Sequence, residues 1–492
     1  MTQKQTTLSL QESVAGCWLG KSIGGTIGLS AEGDIGPLNF TYYDPVPTIA
    51  PPNDDLELQL VWLHLLEQKG FELTQEDFRQ AWIDHIHYMW DEYGRCRWNL
   101  RRGVPTAAVG TFENWFGSSM GSPIRSEIWA ILCAGKPEHA AAYARLDASL
   151  DHGREGIAGE VFLAVLQSLI LDNVELRNAL RRALEAIDPQ SETAKALQLA
   201  FDLHAHGHRE WNAYHEIVAT HGQENFTHAP LNLALIGWAL LYGDGDFDKS
   251  LLLGTNCGYD TDCTAATVGA TLGMMIGPEG IDERWKTPIG DGVFIGPGII
   301  GIQAAETLAD LTDRTLKLQK KFAKQSLTPL PALPAIPVVN LNDLPGTIGI
   351  LPRGETSPVP WANGELPREV LEAGGAEWTW TVGPESRNGC RFVALAREGC
   401  RFYLDEQLIL DCPTESEFVP AVHRPIQEAK TIFQPSQASY RVRLELNSRS
   451  ADQEASAYIG LPNYHITTWD GSVLPHAATL PAPEPKVASN DQ

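Results

Sequence analysis

The chain has 492 residues, 43% of them hydrophobic and 20% charged, so it exceeds one ordinary domain and is too apolar to be disordered; roughly two to four folded units are expected. Its net charge of −25, from 62 Asp+Glu against 37 Lys+Arg, repels polyanions and excludes nucleic acid and anionic membrane as partners. No run reaches the ~18 apolar residues that a membrane helix needs.

The opening residues, MTQKQTTLSLQES, carry no basic region followed by an apolar one. Val14-Ala15-Gly16-Cys17 has the form of a lipoprotein cleavage box but lacks the apolar segment that must precede it. Residues from about 10 to 323 read as helical. Apolar residues recur at helical spacing over Leu56–Gln68, Glu76–Met89, Pro137–Leu146, Gly159–Leu171, Val174–Ile187, Pro230–Leu241 and Ala304–Phe322. Thr74 with Asp77 makes an N-cap pair, and Gly70 closes the helix before it. The stretch 324–370 holds nine prolines between Pro329 and Pro367 and reads as an extended connector. Beyond it, period-two strands are expected at Glu377–Val382, Arg391–Ala396, Arg401–Leu404, Gln407–Asp411 and Tyr440–Asn447, with Asp405-Glu406 as a hairpin turn. Residues 371–475 are therefore expected to form a small antiparallel β-sandwich, and 476–492, rich in Pro and Ala, a loose tail. The eight cysteines form no CxxC. Cys17, Cys133 and Cys257 sit in apolar or Gly-rich runs as buried thiols, Cys390, Cys400 and Cys412 would pair only under oxidising conditions, and a cytoplasmic location is expected.

Two short acidic segments bear chemistry. In Pro51-Pro52-Asn53-Asp54-Asp55-Leu56-Glu57 an amide and consecutive carboxylates start a helix and offer hard oxygen ligands that suit Mg²⁺ or Ca²⁺. In Asn256-Cys257-Gly258-Tyr259-Asp260-Thr261-Asp262-Cys263-Thr264 two aspartates straddle the start of a helix of small residues, so both can reach one ion. N-capping with helix-dipole complementarity explains either segment alone. Elsewhere, His204, His206 and His208 read as a solvated helix end, and Trp82, Trp90, Trp98, His85 and His87 as mostly core. Trp115 and Phe116 suit either stacking on a substrate or lid packing, and Trp378, Trp380, Phe402 and Tyr403 suit the sandwich interior better than a sugar-binding face.

Taken in order, these segments resemble the ADP-ribosylglycohydrolase family. Gly16 to Gly28 (GCWLGKSIGGTIG) is similar to the family's opening Gly-rich helix, followed by a Glu matched by Glu32. Asn53-Asp54-Asp55 matches its Thr-Asp-Asp motif, and Tyr259 to Cys263 its Gly-Asp-Thr-Asp-Thr motif. Ile124 to Glu127 and Asp147 to His152 resemble two middle elements, and the likeness spans about residues 12–310. It implies an all-α catalytic domain over residues 1–323, ahead of the added β-sandwich. It also implies two divalent cations, Mg²⁺ first with Ca²⁺ or Mn²⁺ as alternatives, held by Asn53, Asp54, Asp55, Asp260 and Asp262. Glu32, Asp55 and Asp262 would be catalytic. Ser122, Arg125, His152, Asn256, Gly258 and Tyr259 would line the substrate. The implied reaction is hydrolysis of the bond at the anomeric carbon of a ribose, in ADP-ribosylated protein or an ADP-ribose derivative, by a water that the metals activate.

This sequence departs from the family pattern at four places. Asn53 replaces Thr, Cys263 replaces a Thr that often ligates, Gly25 replaces an Asp, and Phe116 to Pro123 lacks the Gly-Asn-Gly of the phosphate-side loop. A thiol is a poor Mg²⁺ ligand. Two other readings follow: a glycosidase for non-nucleotide ribo- or pentofuranosides, with the sandwich as a carbohydrate-binding or homodimerising module, and a non-catalytic ADP-ribose binder.

Overall fold

The computed structural model describes residues 8–325, 332–362, 364–414, 418–419 and 427–460. Contacts divide the chain into a helical unit up to Val338 and a second, mainly β unit from Val339, which takes in residues 101–103. The helices of the first unit are α1 (Leu10–Gly28), α2 (Asp54–Lys69), α3 (Gln75–His85), α4 (Asp91–Arg101), α5 (Glu127–Leu132), α6 (Pro137–Ala148), α7 (Arg154–Leu171), α8 (Leu176–Leu184), α9 (Glu192–Ala205), α10 (Glu210–His221), α11 (Ala229–Gly243), α12 (Phe247–Asn256), α13 (Thr261–Ile276), α14 (Glu283–Lys286) and α15 (Leu308–Phe322). No described helix is long and apolar enough to cross a membrane.

Helix starts follow local chemistry. Ser9 with Glu12 and Thr74 with Asp77 form reciprocal capping boxes at α1 and α3. α3 stops at His85, four residues short of the expected Met89, because Ile86 turns extended and Tyr88 leaves the helix. Helices α7, α11 and α13 are buried around most of their circumference and make the core, whereas α8 and α15 bury one stripe and lie at the surface.

The packing that places the site is a seam of small residues between α1 and α13. Gly16, Gly20, Gly24 and Gly28 face Gly273, Gly269, Ala265 and Thr261 in antiparallel order. A Cβ on Gly20 would stand 2.5 Å from the carbonyl carbon of Gly269, and one on Gly28 2.5 Å from the Asp262 Cα, so the backbones touch with nothing between them. This seam brings the end of α1 to the start of α13, where Thr261 Oγ1 donates to Gly28 O at 2.7 Å.

The second unit holds β1 (Ile348–Pro352), β2 (Val359–Trp361), α16 (Arg368–Ala373), β3 (Gly375–Thr381), β4 (Cys390–Ala396), β5 (Cys400–Leu404), β6 (Gln407–Cys412), β7 (Lys430–Phe433), β8 (Ser439–Leu446) and β9 (Ala455–Gly460). They form two antiparallel sheets, β2-β1-β3-β8-β5-β6 and β7-β4-β9. Trp380 and Phe402 of the first pack on Phe392 of the second, with ring centroids 5.1 and 5.2 Å away. Trp378, Trp380 and Phe402 are buried, and the Arg443 guanidinium covers the half-buried Tyr403 ring at 3.8 Å. Asp405 and Glu406, both at positive φ, make the β5–β6 hairpin turn.

The sheet begins inside the stretch expected as connector. Ile350 and Trp361 are core residues, and 324–370 is not wholly a linker. Proline is tolerated here because β2 is an edge strand, where Pro360 costs the ladder little. Residues 461–475 of the expected sandwich and the expected tail 476–492 lie outside the described residues.

Candidate metal centre

The acidic turn at 53–55 and the one at 260–262 meet. Asn53 caps α2, its Oδ1 accepting the Asp55 N–H at 2.7 Å, while its Nδ2 donates to Asp262 Oδ2 at 3.2 Å. Ligand atoms of Asp55, Asp262 and Cys263 lie within 4.8 Å of one another, and so do those of Glu32, Asp260 and Asp262. Asp262 belongs to both groups. Asp55, Asp260, Asp262 and Cys263 are buried, and Glu32 is exposed.

Backbone geometry holds the second turn in place. Gly258 has φ 73°, and a Cβ there would stand 2.7 Å from Asp34 O, so only glycine fits. Tyr259 follows at φ 66°; its N–H donates to Asp34 O at 2.7 Å, and its carbonyl accepts the Gly33 N–H at 2.8 Å. These bonds carry Glu32 to the start of α13. From α11, Asn232 Oδ1 accepts the Asp260 N–H at 3.3 Å.

The carboxylates raise one another's proton affinity. Burial, then Glu32 and Asp55, push Asp262 up to about 8. Burial, then Asp262 and Glu32, raise Asp260. Burial, then Asp55 and Asp262, raise Asp54, although Tyr93 OH donates to it at 3.0 Å. One buried cation stands against them. Lys21 Nζ lies 2.9 Å from Asp55 Oδ1 and 3.2 Å from Glu127 Oε1, and donates to Ile124 O at 2.7 Å. Burial works against its charge, and Asp55 with Glu127 overcomes that and keeps it protonated. Gln59 and Gln167 brace Glu127 at 2.8 and 3.2 Å. Even so, Asp55 Oδ2 and Asp262 Oδ1 are buried without a hydrogen-bond partner. Crowded like charges with unsatisfied lone pairs are costly in a protein interior, and a divalent cation relieves both penalties. The donor set fits one.

Asn53, expected among the metal ligands, caps α2. Its oxygen is engaged in capping, and it turns an N–H toward Asp262. The residues expected along the substrate have partners within the protein. Arg125 is fully buried: it grips Asp151 at 2.7 and 2.9 Å and Asp147 at 3.0 Å, donates to Gly121 O at 2.8 Å, and lies between Trp62 and Trp82. His152, also buried, sets Nδ1 3.1 Å from Asp151 Oδ1 and accepts the Ser122 N–H on Nε2 at 3.2 Å. Ser122 is buried with its hydroxyl unpartnered. Asn256 exchanges two hydrogen bonds with the Phe40 backbone, at 2.5 and 2.9 Å, and pins the loop after Glu32. Gly258 and Tyr259 act through their backbones. These six residues help to build the walls of the site.

Lys21, Tyr93, Glu127 and Gln59 escaped the sequence reading. For Lys21 there was a signal: it is the one charged residue in the run GCWLGKSIGGTIG, and a lone charge on a helix without a polar face implies a buried partner. His206 Nδ1 sits at the Asp202 carbonyl on an exposed helix end, Phe116 is buried and Trp115 half-buried, and all eight cysteines are buried.

Fold and site together define a helical protein whose buried carboxylates, delivered by two helix N-termini, are able to hold divalent metal. The sequence profile of ADP-ribosylglycohydrolases matches residues 6–324. The chain belongs to the ADP-ribosylglycohydrolase family, a family of glycohydrolases, and the β unit lies beyond the matched region. A solved structure described as an ADP-ribosylglycohydrolase-related protein complex is 21% identical, covering 65% of this chain and 99% of its own, at a TM-score of 0.42. No functionally curated protein matches the sequence.

Proposed function

We propose that the helical unit hydrolyses the glycosidic bond at the anomeric carbon of a ribose, in ADP-ribosylated protein or an ADP-ribose derivative, with divalent cations held by Asp54, Asp55, Asp260 and Asp262. The observation that carries this reading is the convergence of Asp55, Asp260 and Asp262, with two orphaned buried oxygens among them, beside the exposed Glu32. Bound cations would supply Lewis acidity toward the ribose hydroxyls and the attacking water. Glu32, the exposed carboxyl of its group, would move a proton to the leaving group or from the water. Asp54, anchored by Tyr93, and Asp55, anchored by Lys21, stay fixed while charge develops at the anomeric carbon.

A second reading draws on a specific observation. Arg125, expected along the phosphates, is buried and fully paired, which favours a ribo- or pentofuranoside without a diphosphate. A panel of ADP-ribosyl protein, ADP-ribose derivatives and simple furanosides, assayed with and without divalent metal, separates the two. Metal-dependent release from ADP-ribosyl substrates supports the first and release from simple furanosides alone the second. Tight binding of ADP-ribose without turnover of any substrate refutes both.

A further inference from the structure

Magnesium is the expected ion of an all-oxygen centre, but the donors here are not all oxygen. The Cys263 sulfur lies within 4.8 Å of carboxylate oxygens of Asp55 and Asp262, and the three residues are buried. Asp55 Oδ2 and Asp262 Oδ1 are fully buried atoms without hydrogen-bond partners, so lone pairs are left unsatisfied in the same group as the thiol. Lys21 engages Asp55 Oδ1 at 2.9 Å. The Asn53 oxygen accepts the Asp55 N–H at 2.7 Å, and the amide presents a donor to Asp262. The position thus presents a soft donor, the Cys263 sulfur, beside its carboxylate oxygens.

Ligand softness decides which ion such a set retains. Mg²⁺ demands about six oxygen ligands in near-octahedral geometry and binds thiols poorly. Zn²⁺ and Co²⁺ accept mixed sulfur and oxygen donors at low coordination number. We propose that Asp55, Asp262 and Cys263 form a mixed oxygen–sulfur site that selects a borderline transition ion, Zn²⁺ or Co²⁺, over Mg²⁺ through the Cys263 sulfur. This rests on the reading of the acidic centre as a metal centre. Coordination converts the thiol to thiolate and releases its proton to solvent. The second group, Glu32, Asp260 and Asp262, keeps oxygen donors only and remains suited to a hard ion.

Any oxygen site also binds Co²⁺ and Zn²⁺ more tightly than Mg²⁺, so the test must isolate the sulfur. The full chain, stripped with chelator, is titrated with Co²⁺, Zn²⁺ and Mg²⁺ by calorimetry, and the Co²⁺ form is examined for a thiolate-to-cobalt charge-transfer band. Cys263→Ser and Cys263→Thr are measured alongside, with far-ultraviolet circular dichroism as the check on folding; the second variant serves if the first misfolds. The expected result is a charge-transfer band in the wild type that both variants lose. The preference for Zn²⁺ and Co²⁺ over Mg²⁺ should fall by at least about 10-fold in the variants, the lower end of what losing even a neighbour of a ligand costs. Binding of all three ions with no such band, and with a preference unchanged by substitution, overturns the sulfur ligand and leaves the metal centre standing. Absence of binding by any ion overturns both.

Discussion

Replacing Gly20 with alanine tests the seam that brings the two acidic turns together. In an ordinary helix this change stabilises by about 1 kcal/mol, because glycine has more freedom to lose. At Gly20 the added Cβ would stand 2.5 Å from the Gly269 carbonyl carbon and closer to its oxygen, against the 3.0 Å floor for real contacts. The obstacle is backbone, which cannot rotate away as a side chain would. Local relief is also blocked: a Cβ on Gly16 would meet the Gly273 carbonyl carbon at 2.8 Å, and one on Gly24 the Ala266 Cα at 2.6 Å. α1 must move off α13 as a body, and overpacking of that kind costs about 3 kcal/mol, the upper part of its usual range. After the propensity gain, Gly20→Ala should destabilise by about 2 kcal/mol or more. Gly254→Ala is the control. It makes the same change in a buried stretch of helix, but its nearest neighbours lie at 3.4 Å, an ordinary contact distance, so it should be neutral or slightly stabilising. Urea denaturation followed by helical ellipticity measures both. Equal effects in the two variants would refute the backbone-to-backbone seam and with it the geometry that presents Asp262 to Asp55.

Asp262→Asn should make the metal-free protein more stable by about 1 kcal/mol or more, since it removes one of several crowded carboxylates whose pKa values have been driven upward. The same variant should lose the thermal shift that divalent cation gives the wild type, as read by melting with and without metal. Arg125→Met leaves Asp147 and Asp151 buried without their partner, so it should cost about 3–5 kcal/mol. A folded Arg125→Met protein of unchanged stability with only a raised KM would restore Arg125 to the substrate. Glu160 is buried with both carboxylate oxygens unpartnered, and burial, then Asp147, raises its pKa. A carboxyl raised in the folded state binds more protons there than in the unfolded chain. Its contribution to stability therefore falls as pH rises above the ordinary carboxyl range, by about 1.4 kcal/mol per pH unit until it ionises. Glu160→Gln should lose that component and exceed the wild type in urea midpoint at pH 8; parallel pH profiles for the two proteins would refute it.

Much of this molecule was readable from residue order because the causes are local. Asn53 and Thr74 cap helices with their own side chains, Asp405-Glu406 turns a hairpin within itself, and the alternation in Glu377–Val382 exposes one face and buries the other. The two acidic segments were visible for the same reason, since each is a helix start whose free N–H groups favour carboxylates. What each carboxylate does depends on groups distant in sequence. Lys21 reaches Asp55 and Glu127 only after α1 packs against its neighbours. Arg125 turned out to be enclosed by Asp147, Asp151 and two tryptophans, which no motif encodes. Pro360 reads as linker because a sequence does not show that its strand lies at a sheet edge, where a missing N–H goes unneeded. The sequence by itself determined which residues could carry charge and where helices could begin. Tertiary structure alone decided which of those charges share one buried space, because electrostatic coupling depends on distance and on exclusion of water, and here both are set by two glycine-lined helices in backbone contact.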